Sequence, residues 1–112
     1  MKLPVPGSPV RGSQSGQPIM ALFDLLGRSW AMGILWNLNE DALNFRQLQQ
    51  KCESVSPGVL NTRLKELRQA FLITRSEDGY VLTETGRSLF SLLQPLGKWS
   101  LEWAQQFKTD HA

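Results

Sequence analysis

The chain has 112 residues, enough for one domain of ordinary size and little else. Twelve Lys and Arg against ten Asp and Glu leave a formal net charge of +2, too small by itself to establish a nucleic-acid partner. A single cysteine, Cys52, and a single histidine, His111, exclude an internal disulfide framework and argue against a Cys/His zinc site. They also remove Cys-His and Ser-His pairs unless His111, next to the C-terminal residue, serves as base, so no enzyme is expected.

No stretch reaches the roughly 18 apolar residues of a membrane span. Residues 1–18 hold Pro4, Pro6, Pro9 and Pro18 with Gly7, Gly12 and Gly16, and serines between them. They have no apolar central block, so they read as a flexible tail rather than a secretory signal. With a lone thiol, the expected address is cytoplasmic.

Residues 19–108 read as the folded domain. Ile19, Leu22, Phe23 and Leu26 have the spacing of a helical stripe, which Gly27 can end. Ser29 is the expected N-cap of a second helix carrying Trp30, Ile34, Leu35 and Leu38. Asn44 followed by Gln47 is a capping-box variant, and Phe45, Leu48 and Cys52 share a face behind it. Ser56 and Pro57 then open a fourth helix with Leu60, Leu64, Leu67 and Phe71 along one side. Two helices joined through Glu53, Ser54 and Val55 form a helix-turn-helix.

Phe71 to Arg75 and Tyr80 to Leu82 flank a turn at Ser76 to Gly79, which makes a hairpin. Thr83 can cap a last helix bearing Leu89, Phe90, Leu93 and Leu96, then Trp99, Trp103 and Phe107; Pro95 should kink or split it. The expected fold is mostly α with a small β-hairpin, a winged helix-turn-helix.

On the fourth helix, a turn of about 100° per residue puts Thr62, Lys65 and Gln69 opposite the core, with Asn61 and Glu66 flanking. Asn and Gln suit adenine, Thr a thymine methyl, and Lys guanine or phosphate. From Arg46 to Arg75 six basic residues face two acidic ones, a local +4, whereas the chain from Ile19 onward outside that segment is −4. Positive charge thus gathers where a groove-docking surface would lie. Arg63 has two readings, a phosphate contact or a fold-back onto the edge of the core. Cys52 reads as a buried, inert thiol.

These residues resemble the HxlR-type, MarR-like winged-helix transcription regulators over roughly Ala21 to Trp103. The likeness lies in Asp24-Leu25-Leu26-Gly27 followed by Trp30, in Ile34-Leu35, in Phe45 with Leu48, and in Ser56-Pro57 with Leu60, Thr62, Arg63 and Leu64. It continues through Leu67, Ala70, Leu72 and Arg75 to the run Leu82-Thr83-Glu84-Thr85-Gly86-Arg87-Ser88-Leu89. Three features depart from the family pattern: Ser29 stands where a basic residue usually precedes the tryptophan, Phe71 stands where a glycine commonly ends the recognition helix, and the wing is short and carries Glu77 and Asp78.

The resemblance implies a sequence-specific regulator that binds double-stranded operator DNA as a homodimer, without metal or cofactor, its effector unspecified. Asn61, Thr62 and Lys65 would read bases, and Arg46, Ser56, Arg63 and Arg68 would hold phosphates. Arg75 with the hairpin would touch an adjacent groove. Dimerisation through the terminal helices would use Ile19, Phe23, Leu96, Trp99, Trp103 and Phe107; an aromatic stripe on so small a fold also suits an interface. The rival reading is a winged-helix module for protein interaction without DNA binding, which the acidic wing and low net charge favour.

Overall fold

The computed structural model describes residues 3–110, so His111 lies outside the described residues. The described elements are α1 (Pro18–Leu26), α2 (Ala31–Asn37), α3 (Phe45–Lys51), α4 (Pro57–Gln69), β1 (Ile73–Ser76), β2 (Gly79–Leu82), α5 (Glu84–Leu93) and α6 (Pro95–Asp110). Their order is that of the expected winged helix-turn-helix.

Pro18 occupies the first turn of α1, where its missing N–H is no loss. Gly27 ends the helix by donating to the Phe23 carbonyl at 2.9 Å. Ala21, Leu25 and Leu26 of α1 are buried, whereas Ile19 and Phe23 of the expected stripe are exposed. The N-cap of α2 is Trp30, not Ser29, and it stands in the left-handed region at φ 66° with no side-chain cap. Two contacts account for the shift. The Ser29 carbonyl accepts from Arg63, and the Trp30 ring lies against Gly33, where a Cβ would stand 2.8 Å from the ring. Beyond this break α2 supplies Ile34 and Leu35, both fully buried, as the centre of the core.

The capping box at α3 forms as expected, with the Asn44 side chain accepting from Gln47 N–H at 2.8 Å and Gln47 accepting from Asn44 N–H at 2.9 Å. The following turn is closed by Ser54 N–H on the Gln49 carbonyl and Glu53 N–H on that of Gln50, with both turn residues at positive φ. Ser56 then caps α4 through the Val59 N–H at 3.3 Å. Leu60, Leu64 and Leu67 anchor α4 in the core.

Phe71 leaves the face assigned to it: it is 75% exposed and left-handed at φ 67°. The cause is a Schellman closure of α4, in which Phe71 N–H donates to Arg68 and Leu72 N–H to Leu67, both at 3.0 Å. Leu72, one residue on, takes the buried place instead.

The hairpin pairs Ile73 with Leu82 and Ser76 with Gly79, leaving a two-residue tip of Glu77 and Asp78. Leu43 adds a bridge to β2 by exchanging backbone hydrogen bonds with Tyr80 at 2.8 and 3.1 Å. Gly79, at φ 127°, lets the two backbones meet there, since a Cβ would fall 2.5 Å from the Leu43 carbonyl. Thr83 accepts from Gly86 N–H to start α5, and the expected break at Pro95 separates α5 from α6. The proline- and glycine-rich segment before α1 turns back on itself through Gly7 N–H to the Gly16 carbonyl at 2.9 Å, with Leu3 against the core.

Candidate nucleic-acid interface

Asn61, Thr62, Lys65, Arg68 and Gln69 all stand exposed on the side of α4 away from Leu60, Leu64 and Leu67. Asn61, Lys65 and Arg68 line a shallow depression of about 260 Å³ that Tyr80 of the hairpin closes. A second depression runs from Lys65 and Arg68 to Ile73 and Thr74. The outer face of α4 and the wing therefore form one continuous polar surface. Arg46, on the helix before the turn, is also exposed. Ser56 is exposed, but its hydroxyl already serves as the α4 cap. Arg75 is exposed on β1, its guanidinium 5.3 Å from the centre of the Tyr80 ring.

Arg63 does not share this surface. Its Nε donates to the Ser29 carbonyl at 2.7 Å and one terminal nitrogen to Glu66 Oε1 at 2.6 Å, and the side chain is only 12% exposed. Of its two readings, the fold-back describes its position. Glu66, expected to flank the outer face, is buried as well. Its second carboxylate oxygen pairs with Arg28, which reaches Asp24 Oδ1 at 3.4 Å. Asp24 in turn accepts from the backbone N–H of Arg11 at 3.1 Å and pairs with the Arg11 side chain at 3.4 Å. Charged residues join the N-terminal segment, the end of α1 and α4 in one chain of contacts. Sequence reasoning missed this network, although opposite charges at Asp24 and Arg28, four positions apart across the end of α1, were a visible signal for its first link.

Among the expected interface residues, Ile19, Phe23, Leu96, Trp99, Trp103 and Phe107 are each about half exposed or more. Trp99 stacks on Trp103 at 5.9 Å between ring centres, and Phe107 meets Trp103 edge-on at 5.1 Å. The aromatic stripe of α6 is thus ordered within itself and left uncovered by the body of the chain. Trp36, to which the sequence assigned no role, is also partly exposed, packs edge-on against Phe90 and borders a groove with Met32, Leu93 and Leu96. Cys52 is fully buried; burial pushes its thiol pKa up, and nearby Glu53 adds to the rise.

A helix-turn-helix with an exposed polar second helix and a hairpin beside it defines the winged-helix class of transcriptional regulators. The HxlR-like helix-turn-helix family model matches residues 25–108, and the chain belongs to that family. It is a transcriptional regulator of the HxlR/MarR-like type, a DNA-binding class. The uncharacterized HTH-type transcriptional regulator YdzF of Bacillus subtilis is 32% identical over 92 residues, covering 75% of this chain and 84% of that protein. Crystalline quinone-bound YodB from B. subtilis superimposes with a TM-score of 0.68 at 30% identity, covering 75% of this chain and 96% of that one. A MarR-family regulator from Porphyromonas gingivalis W83 shares the fold with a TM-score of 0.70, at 20% identity over 80% of this chain and 95% of its own. No single helix among the described residues is long and apolar enough to cross a membrane.

Proposed function

We propose that this regulator binds operator DNA as a homodimer, with Asn61, Thr62 and Lys65 reading base edges from α4. The observation that carries the reading is the outer face of α4, where Asn61, Thr62, Lys65 and Arg68 are exposed, with a further exposed cation, Arg46, on α3. Arg46, Arg68 and the N-terminal end of α4 at Ser56 hold phosphates; Arg75 and the wing lie along an adjacent groove. Arg63 is left out of the contact set because its guanidinium is already engaged. Two chains meet through the α6 stripe with Ile19 and Phe23 of α1, which sets two recognition helices for a two-fold operator. No cofactor is invoked, and no redox role is assigned to the buried Cys52.

Selection of genomic fragments with the purified protein, followed by titration at several salt concentrations, tests the reading. A selected site bound far more tightly than random DNA, with affinity falling steeply as salt rises, supports it. The exposed Glu77 and Asp78 at the wing tip favour a second reading, a protein-binding wing. Absence of any salt-dependent DNA binding would move the function there.

A further inference from the structure

We infer that Glu66, with Arg28 and Arg63, sets the rotation of the recognition helix about its own axis and is thereby a positioning residue for sequence discrimination. The inference rests on the base-reading role proposed for Asn61, Thr62 and Lys65. The anchoring of α4 has two parts with different physical character. Leu60, Leu64 and Leu67 hold it by apolar burial, which is non-directional and fixes the roll of the helix less sharply than a charged hydrogen bond does. The Glu66 carboxylate is directional. One oxygen takes Arg28, the other takes Arg63 at 2.6 Å, and Arg63 is itself fixed on the Ser29 carbonyl at 2.7 Å. Arg28 and Ser29 both belong to the break between α1 and α2, so the network ties α4 to a point outside its own helix.

The geometry makes this tie matter for base reading. Lys65 and Glu66 are sequence neighbours about 100° apart around the axis, so a roll that frees one moves the other. Side-chain tips lie about 5 to 6 Å from a helix axis, and a roll of about 20° displaces them by about 2 Å. That displacement breaks a bidentate base contact, which needs donor and acceptor within hydrogen-bond distance. Phosphate attraction falls off more gently with distance and survives it. Loss of the network should therefore erode discrimination and spare the electrostatic part of binding.

The test compares the wild-type chain with Glu66→Gln, which keeps the volume but removes the charge and one acceptor. Arg63→Gln, at the more exposed rim of the network, is the second variant in case the buried change prevents folding. Folded fraction by circular dichroism, affinity for a selected operator and for random DNA, and salt dependence of both are read for each. The expected result is a folded variant whose operator-to-random ratio falls about tenfold or more, comparable to removing one base contact, with an unchanged salt slope. A folded variant with the wild-type ratio overturns the inference, as does an equal loss on both DNAs. A wild-type protein that shows no preference for any selected site removes the base-reading proposal and this inference with it, and only that result touches both.

Discussion

The Arg63 Nε donates to the carbonyl oxygen of Ser29 at 2.7 Å, across 34 positions of chain. A cation in the middle of α4, the helix proposed to read DNA, is thereby engaged inside the fold, while Arg68, five residues on, remains exposed. The two arginines should separate on substitution. Arg63→Ala is expected to lower stability by about 1 to 3 kcal/mol, since it leaves Glu66 with one partner fewer, and to leave the salt slope of DNA binding unchanged. Arg68→Ala should leave the melting temperature alone and lower the slope by about one. Thermal melts with salt titrations of both variants give the answer, and a reduced slope for Arg63→Ala would return that residue to the phosphate contacts.

Replacing Asn61 or Thr62 with Ala should cost about 1 to 3 kcal/mol on a selected operator and little on random DNA. Both side chains are exposed, so the folded state should not register the change. Parallel titrations measure it. Equal losses on the two DNAs would be incompatible with base reading.

Trp103 stands between Trp99 and Phe107 in the uncovered stripe of α6. If the stripe joins two chains, the wild-type protein sediments as a dimer at micromolar concentration, and Trp103→Ala shifts it toward monomer. Operator affinity should fall with it, because two recognition helices no longer bind as one unit. Sedimentation at several concentrations beside operator titration checks both effects. A wild-type monomer that binds a full operator tightly would contradict the assembly.

Cys52 is closed off from solvent, and its thiol pKa is raised chiefly by that burial. It should resist alkylation in the native state and react once the chain is unfolded. The sign of the pH dependence follows from the raised folded-state value. Above the ordinary thiol range of about 8.5 the unfolded chain loses this proton while the folded one retains it, so stability declines on the alkaline side. Cys52→Ala should abolish that component of the decline, whereas Cys52→Ser should lower stability at every pH by placing a hydroxyl in an apolar site. Rapid labelling of the folded chain would count against the buried assignment.

Phe71 holds a left-handed conformation that glycine adopts without steric penalty, and its side chain is largely exposed. Phe71→Gly is therefore expected to raise stability, by about 1 kcal/mol, because the released strain outweighs the small apolar area that so exposed a ring buries. Denaturant unfolding of the two proteins decides the sign.

Much of this protein was legible in local sequence. The Asn44–Gln47 capping box, the Ser56-Pro57 start of α4, the Thr83 cap and the break at Pro95 all formed where the residues placed them. Each is settled within a few positions of chain, by backbone groups that need a partner or by a proline that cannot donate. The exposed face of α4 was legible for the same reason, since helical periodicity assigns Leu60, Leu64 and Leu67 to one side and leaves Asn61, Thr62 and Lys65 on another. What only the tertiary structure decided were contacts between residues far apart in sequence. Ser29 lost its capping place and Trp30 took it when Arg63 claimed the Ser29 carbonyl from another helix. Glu66 went inside because Arg28 and Arg63 met its two oxygens, and Phe71 went outside because closing α4 on Leu67 and Arg68 turned Leu72 inward. Periodicity ranks a position by its neighbours along one helix. A buried charge is stable only where opposite charge and hydrogen bonds converge on it in space, and that convergence belongs to the packed fold.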